Sequence, residues 1–285
     1  MRFSFLLCFS MLLFSCKKEK VNDIKNGEMT ILADESFKNV TDALAERYMS
    51  FYPDSKIITK YEKEEIAWNN FLNEKASTIV LSRTLSDAEK KTYTDKFDIP
   101  FQQSNFAGDA VVFVVPKNAS KESITIEEIT KELQSDSKNI IFDGSNASNL
   151  NFVTQKLKME PKNAKFSVIR GNEELINEIE KYPNHIGVVS LNSISRIYDP
   201  EIQKLRDKIK ILPVIEKGIS YEPSMTNIRD MKYPFTRILY FLTNEGFFGL
   251  SRGFIRFSCT QIGQIVVKKS GLQPYNIYKR EVMMR

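Results

Sequence analysis

The sequence predicts an α/β fold, and three observations lead to this prediction. Short apolar strands alternate with amphipathic helices from residue 28 onward, as in a parallel or mixed sheet that carries helices on its faces. The chain of 285 residues is longer than most single domains, so two lobes or one large domain are expected. With 42% hydrophobic and 27% charged residues, the composition is that of a globular protein.

The net charge of +5 does not indicate a nucleic-acid partner. Lysine and glutamate are interleaved along the chain, as in KYEKEEIAWNN at residues 60–70 and EEITKELQSDSK at residues 127–138. A nucleic-acid site would require Lys and Arg to cluster on one face. We therefore expect a solvated surface of mixed charge and no bound nucleic acid.

The N-terminus resembles a bacterial lipoprotein signal. A short basic start is followed by an apolar run over residues 3–14, which is too short to span a bilayer. The run ends in LFSC and is followed at once by KKEK. The resemblance implies a signal peptide of residues 1–15, acyl chains on Cys16 and a polar tether over residues 16–27. An ordinary secretory signal with an incidental cysteine is the alternative.

The cysteine content agrees with this interpretation. If the resemblance holds, Cys8 would be removed with the signal, Cys16 would carry the lipid, and Cys259 would be the cysteine left in the mature chain. No disulfide can form within the mature chain, so its stability must come from the apolar core.

Strand and helix alternate in the first part of the chain. MTILA at residues 29–33 predicts a strand, and apolar residues spaced three or four apart after Ser36 predict a helix. KIITKY at residues 56–61 and STIVLSR at residues 77–83 predict two further strands. A helical pattern over residues 66–72 lies between them.

The alternation continues in the second part. SDAE at residues 86–89 and TIEE at residues 125–128 are capping boxes that predict helix starts. DAVVFVVP at residues 109–116 is a run of apolar, mostly β-branched residues and predicts a buried strand. The remaining predicted elements are strands at residues 139–142, 166–169 and 185–191, a helix over residues 129–133 and a helix around Leu175.

Three loops that follow predicted strands carry small polar residues. They are DESF at residues 34–37, LSRT at residues 81–84 and GSNASN at residues 144–149. Each loop leads from the carboxyl end of a strand to a helix whose first N–H groups are unpaired. Small residues let an anion approach these N–H groups, and hydroxyls add further donors. A plain helix cap explains each loop alone, whereas three such loops in one chain favour a shared anion pocket.

Two segments near the C-terminus resemble a known family. YPFTRILYFLT at residues 233–243 is similar to its Tyr-Pro-x-x-Arg-x-x-Tyr segment, and residues 253–274 are similar to its Gly-Phe helix, Gly-Gln turn and closing Gly-x-x-Pro. The family is that of the substrate-binding lipoproteins of phosphate ABC transporters, which are type II periplasmic binding proteins. The other similar segments are DESF, SRTLSDAEK at residues 82–90, GDAVVFVVPKN at residues 108–118, and HIGVVSL at residues 185–191.

The resemblance implies two α/β lobes that are joined by two hinge crossings and close on a ligand. We expect the outward crossing within residues 107–112 and the return within residues 188–192. Lobe one then comprises residues 28–108 plus 190–285, and lobe two comprises residues 109–189.

The resemblance also implies the residues that contact the ligand. They are Ser36, Phe37, Ser82, Arg83, Ser145, Ser148 and Asn149. At the position of Arg83 the family carries an aspartate, and its usual arginine near Phe142 and Asp143 is missing here. We hypothesise that Arg83 is the cation that replaces this arginine, because a guanidinium can bind two oxygens of a tetrahedral anion. The alternative is that Arg83 pairs with a nearby acid such as Asp87.

The function that the resemblance implies is capture of an oxyanion, most simply phosphate, for an ABC transporter. The chain is expected to be a monomer in the cell envelope, anchored by lipid, facing the periplasm or exterior, with permease subunits as partners. We expect no enzyme activity, no cofactor and no metal, since His185 is the only histidine and no two-histidine metal site can form. An oxyanion sensor or scavenger on the same fold is the first alternative, and a hydrolase or structural lipoprotein is the second.

Overall fold

The computed structural model of the chain describes residues 23–278. Its strands are β1 Gly27–Ala33, β2 Ser55–Tyr61, β3 Thr78–Leu81, β4 Ser104–Pro116, β5 Ile124–Thr125, β6 Ile140–Phe142, β7 Ser167–Val168, β8 Ile186–Ser190, β9 Ile209–Leu212, β10 Val214–Glu216, β11 Ile219–Tyr221, β12 Thr236–Thr243 and β13 Gln273–Pro274. Its α-helices are α1 Lys38–Phe51, α2 Glu64–Leu72, α3 Asp87–Phe97, α4 Ile126–Gln134, α5 Ser148–Lys156, α6 Asn172–Glu178, α7 Pro200–Asp207, α8 Met225–Arg229, α9 Leu250–Cys259 and α10 Gln261–Lys269.

The predicted alternation of strands and helices is confirmed, and both capping boxes form. Ser86 caps α3 together with Glu89, and Thr125 caps α4 together with Glu128. The start of β4 differs from the prediction, because the strand begins at Ser104 rather than at residue 109. The added residues pair with β12, a contact distant in sequence that the local pattern does not contain.

Strand β4 belongs to two groups of strands within one ten-stranded sheet. Its first part pairs with β12 and β13, and its last part pairs with β8 and β9. The partner changes between Ala110, which lies opposite β12, and Val111, which lies opposite β8. This change falls within residues 107–112, where the sequence predicts the outward crossing.

The carboxyl ends of the parallel strands in each group are directed toward the other group. In the first group β2, β1 and β3 are parallel, and in the second β7, β6 and β8 are parallel. The two sets of strand ends meet where the Ser148 N–H at the start of α5 donates to Asp34 in the loop after β1. The fold thereby brings the predicted anion loops to one junction.

The predicted lobe bounds of residues 28–108 plus 190–285 and 109–189 stay predictions. Strand β9 lies beyond residue 189 but pairs with the last part of β4, on the edge opposite to β8. This pairing favours a second group of strands that includes β9.

Apolar side chains form cores on both faces of the first group and around the second group. Helices α1, α9 and α10 cover one face of the first group through residues such as Leu44 and Phe254. Helices α2 and α3 cover the other face, where Trp68 and Tyr93 are buried. Cys259 is half-buried against the first of these cores, and burial raises the pKa of its thiol to about 11. Among residues 23–278, no helix is long and apolar enough to cross a bilayer.

We expect Gly187→Ala to destabilise the second group. A Cβ at Gly187 on β8 would lie 2.5 Å from Leu175 Cδ2 and 2.9 Å from Val114 Cγ2, and both side chains are fully buried. Overpacking of this kind costs about 1 to 3 kcal/mol, which should appear as a lower free energy of unfolding in urea. Gly246→Ala is the control, because its Cβ would meet Ile99 at an ordinary 3.5 Å. Equal losses in the two variants would contradict the expectation.

Candidate functional site

Polar and charged side chains are buried where the two groups of strands meet. Each has at most 5% of its surface exposed. Together they form what we call the junction cluster: Asp34, Ser36, Glu64, Ser82, Asp109, Asp143, Ser148, Asn149, Asn172, Ser190, Asn192 and Arg237. Buried polar groups are stable only when they are hydrogen-bonded, so the partners of each residue define the site.

Asp34 follows directly after β1 and accepts three backbone hydrogen bonds. Its Oδ1 accepts from the N–H of Ser36 at 2.9 Å, and its Oδ2 accepts from the N–H of Glu64 at 2.9 Å and of Ser148 at 3.0 Å. These three N–H groups lie at the start of a 3-10 turn that leads into α1, of α2 and of α5. The carboxylate thus joins the first group of strands to the second.

Ser36 is held from the opposite side by two asparagines. Its Oγ accepts from Nδ2 of Asn172 at 3.1 Å, and its carbonyl accepts from Nδ2 of Asn192 at 2.8 Å. Asn172 is the first residue of α6, and Asn192 lies in the 3-10 turn after β8. The first loop is therefore bound by residues that follow strands of the second group.

Arg237 is the buried cation of the junction cluster. It lies opposite Asp109 in the β12–β4 register, and its Nε donates to Asp109 Oδ2 at 2.9 Å. Nη2 donates to Ser190 Oγ at 2.9 Å, and Nη1 lies 3.4 Å from Ser148 Oγ. The guanidinium also lies over the Phe37 ring, 4.7 Å from its centroid. A buried ion pair of this kind is costly to break, because either partner alone would be an uncompensated charge.

Asp143 follows β6 and has amide and ammonium partners. It accepts from Nδ2 of Asn149 at 3.1 Å and of Asn172 at 3.1 Å, and Nζ of Lys63 lies 3.5 Å away. Burial, and after it the charge of Asp34, raises the pKa of Asp143 to about 6 although Lys63 acts in the opposite direction. This carboxyl therefore takes up its proton at a higher pH than an exposed aspartate does.

Glu64 lies at the start of α2 and binds the loop after β3. Its Oε1 accepts from the N–H of Ser82 at 3.0 Å and from its Oγ at 3.1 Å. Oε2 has no hydrogen-bond partner within 3.5 Å among the described residues, and Arg83 Nε lies 3.7 Å from it. Burial raises the pKa of Glu64, and Arg83 partly offsets this effect.

Arg83 pairs with acids at the edge of the junction cluster. Both of its terminal nitrogens donate to Glu89 on α3, at 3.1 and 2.5 Å. Together with Ser145 it lines an open groove of about 920 Å³ between the two groups of strands. Its acidic partners are thus Glu89 and Glu64, and not the Asp87 of the alternative interpretation.

The predicted site residues fall into two sets. Phe37 and Ser148 contact Arg237, and Ser36 and Asn149 both bind Asn172. Ser82 is connected to them through Glu64, whose N–H donates to Asp34. Arg83 and Ser145 lie at the open groove. The assignment of these residues to a ligand stays a prediction.

Sequence reasoning did not select most of the acids and amides of the junction cluster. The missed residues are Asp34, Glu64, Asp109, Asp143, Asn172, Ser190, Asn192 and Arg237. Signals for two of them were present, because Asp34 opens the DESF loop and Arg237 is the arginine of the YPFTR segment. The others follow or interrupt apolar segments, where one polar residue carries no spacing signal. Among residues 23–278, no group of three or more His, Cys, Asp or Glu side chains is arranged to hold a metal.

A family model and a curated relative both match most of this chain. The family model of the PBP superfamily domain matches residues 24–261. The phosphate-binding protein PstS of Borreliella burgdorferi is 22% identical over 281 residues, which cover 91% of this chain and 93% of that protein.

Solved structures share the fold at low identity. A Clostridium perfringens protein, assigned as a phosphate ABC transporter substrate-binding protein and solved with bound phosphate, has a TM-score of 0.72 at 16% identity and covers 88% of this chain and 100% of its own. An ABC-type phosphate transport receptor from Vibrio cholerae has a TM-score of 0.67 at 15% identity, with coverages of 87% and 100%. The predicted type II periplasmic binding protein fold is confirmed. The predicted resemblance to substrate-binding proteins of phosphate ABC transporters is confirmed as well.

The raised pKa of Asp143 predicts a stability that depends on pH. A carboxyl whose pKa is higher in the folded state than in the unfolded state adds stability as the pH falls, fully below 3.8 and not above about 6. The free energy of unfolding of the parent, relative to Asp143→Asn, should therefore rise by at most about 3 kcal/mol as the pH falls through this window. Urea denaturation between about pH 7.5 and pH 4.5 measures this difference.

Asp136→Asn is the control for this experiment. Lys165 lowers the pKa of Asp136 below its ordinary value of 3.8, so the stability that this exposed acid contributes is lost only below that pH. The difference between the parent and Asp136→Asn should therefore stay constant between about pH 7.5 and pH 4.5. A difference between the parent and Asp143→Asn that does not change with pH would contradict the expectation.

Proposed function

This chain belongs to the PBP superfamily, and we propose that it is an extracytoplasmic solute-binding protein that captures phosphate or a related oxyanion for an ABC transporter. The observation that carries the proposal is the chemistry at Ser148. Its N–H is one of three helix-start donors that converge at the junction, and its hydroxyl faces the Arg237 guanidinium. Helix-start N–H groups and a buried arginine are the groups that bind oxyanions in proteins.

The two groups of strands supply donors from opposite sides. Ser36 and Glu64 belong to the first group, and Ser148 belongs to the second. A ligand that bound all three would close the groups around itself, as expected for hinge closure about β4. Such a protein binds its ligand without converting it, so we propose no enzymatic step. Its partners would be permease subunits, and we propose that it acts as a monomer.

Names of the relatives support phosphate as the ligand. The Borreliella burgdorferi relative is a phosphate-binding protein, and the Clostridium perfringens structure holds phosphate. We therefore propose phosphate first, with Ser36, Phe37, Ser82, Ser148 and Asn149 around it. Arg237 is the cation that the geometry favours, because it contacts Phe37 and Ser148, whereas Arg83 is bound to Glu89 at the open groove.

A sensor or scavenger with a different ligand is the second candidate, and the buried carboxylates favour it. Asp34, Glu64, Asp109 and Asp143 all lie in the junction cluster with Arg237 as its buried cation. A phosphate dianion would meet like charges there, which raises the cost of binding.

The anchor belongs to the same proposal. Cys16 lies outside the described residues, and its lipidation rests on the LFSC sequence. We expect Cys16→Ala to release the protein from membranes or to leave the precursor uncut, because the acylated sulfur would be lost. Membrane fractionation and the mobility of the precursor measure this, with Cys259→Ala as the control that keeps its anchor. Unchanged attachment and processing of Cys16→Ala would count against the anchor.

Calorimetric titration with phosphate, sulfate and molybdate tests the binding function. We expect phosphate to bind at one site, to be recovered unchanged, and to reduce the radius of gyration in small-angle scattering. A chain that binds none of the three anions would contradict oxyanion capture, and turnover of the ligand would indicate an enzyme.

The same titration of Arg83 variants identifies the cation. We expect Arg83→Ala to keep its affinity within about threefold, because the Arg83 guanidinium is already paired with Glu89. A loss of about thirtyfold or more, with Arg83→Lys less affected, would instead assign the contact to Arg83 as the sequence predicts.

A further inference from the structure

The donors that suit an oxyanion are already occupied in this structure. All three helix-start N–H groups, those of Ser36, Glu64 and Ser148, donate to the Asp34 carboxylate at 2.9 to 3.0 Å. The carboxylate is fully buried. Each N–H carries one proton, so it cannot bond fully to Asp34 and to a second anion at once. The place where these donors converge is called the N–H seat below.

The anion in the N–H seat comes from the chain itself. Asp34 follows β1, whereas Ser148 begins α5 in the second group of strands, so the bond between them joins the two groups. A second contact also joins the two groups: Thr84, after β3, and Gln155, on α5, exchange hydrogen bonds at 3.0 and 2.9 Å. The two groups are thus held together by side chains, in contacts that need no external ligand.

Neighbouring acceptors show that the site is not saturated with donors. Asn149 Oδ1 and Glu64 Oε2 are buried and have no hydrogen-bond partner among the described residues. Glu64 is itself one of the three residues whose N–H binds Asp34, and Asn149 directly follows another, Ser148. Donors are therefore scarce at the junction, and an incoming oxyanion has to compete for them.

We propose that Asp34 is an internal anion that occupies the N–H seat, and that an oxyanion binds only by displacing it. The inference rests on the proposed function and adds the residue that sets its affinity. Displacement moves the Asp34 carboxylate out of contact with the Ser36, Glu64 and Ser148 N–H groups. The oxyanion then accepts these bonds, with no covalent change. Asp34 thereby selects against weakly binding anions, because every ligand must first replace an anion that is covalently held in place.

Two variants test the inference. Asp34→Ala empties the N–H seat, and Asp34→Asn keeps the shape of the side chain but removes its charge. Both should bind phosphate roughly tenfold or more tightly than the parent in calorimetric titration, because the competing anion is gone. Asp34→Ala should also melt at a lower temperature, and formate, which is the missing carboxylate as a free ion, should restore its melting temperature saturably.

Asp42→Ala is the matched control. Asp42 is a half-buried acid on α1 that accepts hydrogen bonds from Thr59 at 2.8 Å and from Tyr61, and it lies outside the junction cluster. Its loss should lower the melting temperature without rescue by formate and without a gain in phosphate affinity.

The outcomes separate the inference from the proposed function. Phosphate binding to the parent, with variants that bind no more tightly and show no formate rescue, overturns the role of Asp34 and leaves oxyanion capture standing. A parent that binds no oxyanion while the variants bind phosphate supports the role of Asp34 and contradicts capture by the natural chain. If neither the parent nor the two variants bind an oxyanion, the role of Asp34 and the proposed function are both overturned. Should Asp34→Ala fail to fold, the affinity of Asp34→Asn decides.

Discussion

The burial of the Arg237–Asp109 ion pair is the constraint on which the junction of this protein depends. The two residues lie opposite each other on β12 and β4, with side chains that are almost completely excluded from solvent. A buried charge is tolerated only with a close partner and further hydrogen bonds. Ser190 and Asn192 complete the shell of Asp109, and Ser148 faces Arg237. The position of the second group of strands relative to the first follows from these contacts.

Strand β4 explains why the junction lies where it does. One continuous strand serves both groups, and its partners change immediately after Asp109 and Ala110. The buried ion pair is therefore located where β4 changes its partners, which is the hinge position in the proposed function. Groups that bend about β4 would change the distances from Asp34 and Arg237 to Ser148 while the pair itself stays intact, which links closure to the donors of the site.

The junction also shows how anion chemistry and stability oppose each other. Helix-start N–H groups left unpaired in a buried site would cost free energy, and the Asp34 carboxylate removes this cost. The same carboxylate adds negative charge to the site, and this charge contributes to the raised pKa of Asp143. If Asp34 acts as we propose, it stabilises the protein without a ligand and lowers its affinity for anions.

The sequence by itself determined the α/β fold class, the order of the strands and helices, and the loops that meet at the junction. Apolar periodicity, capping boxes and small residues after strands are local patterns, so residues such as Ser86, Ser36 and Ser148 carried their own signal. Only the tertiary structure decided the start of β4 and the pairing of β9, because both depend on partners far away in sequence. It also decided the partners of Asp34, Arg83 and Arg237. The charge of an acid or an arginine is visible in a sequence, whereas its partner is set by which strands and helices lie beside it.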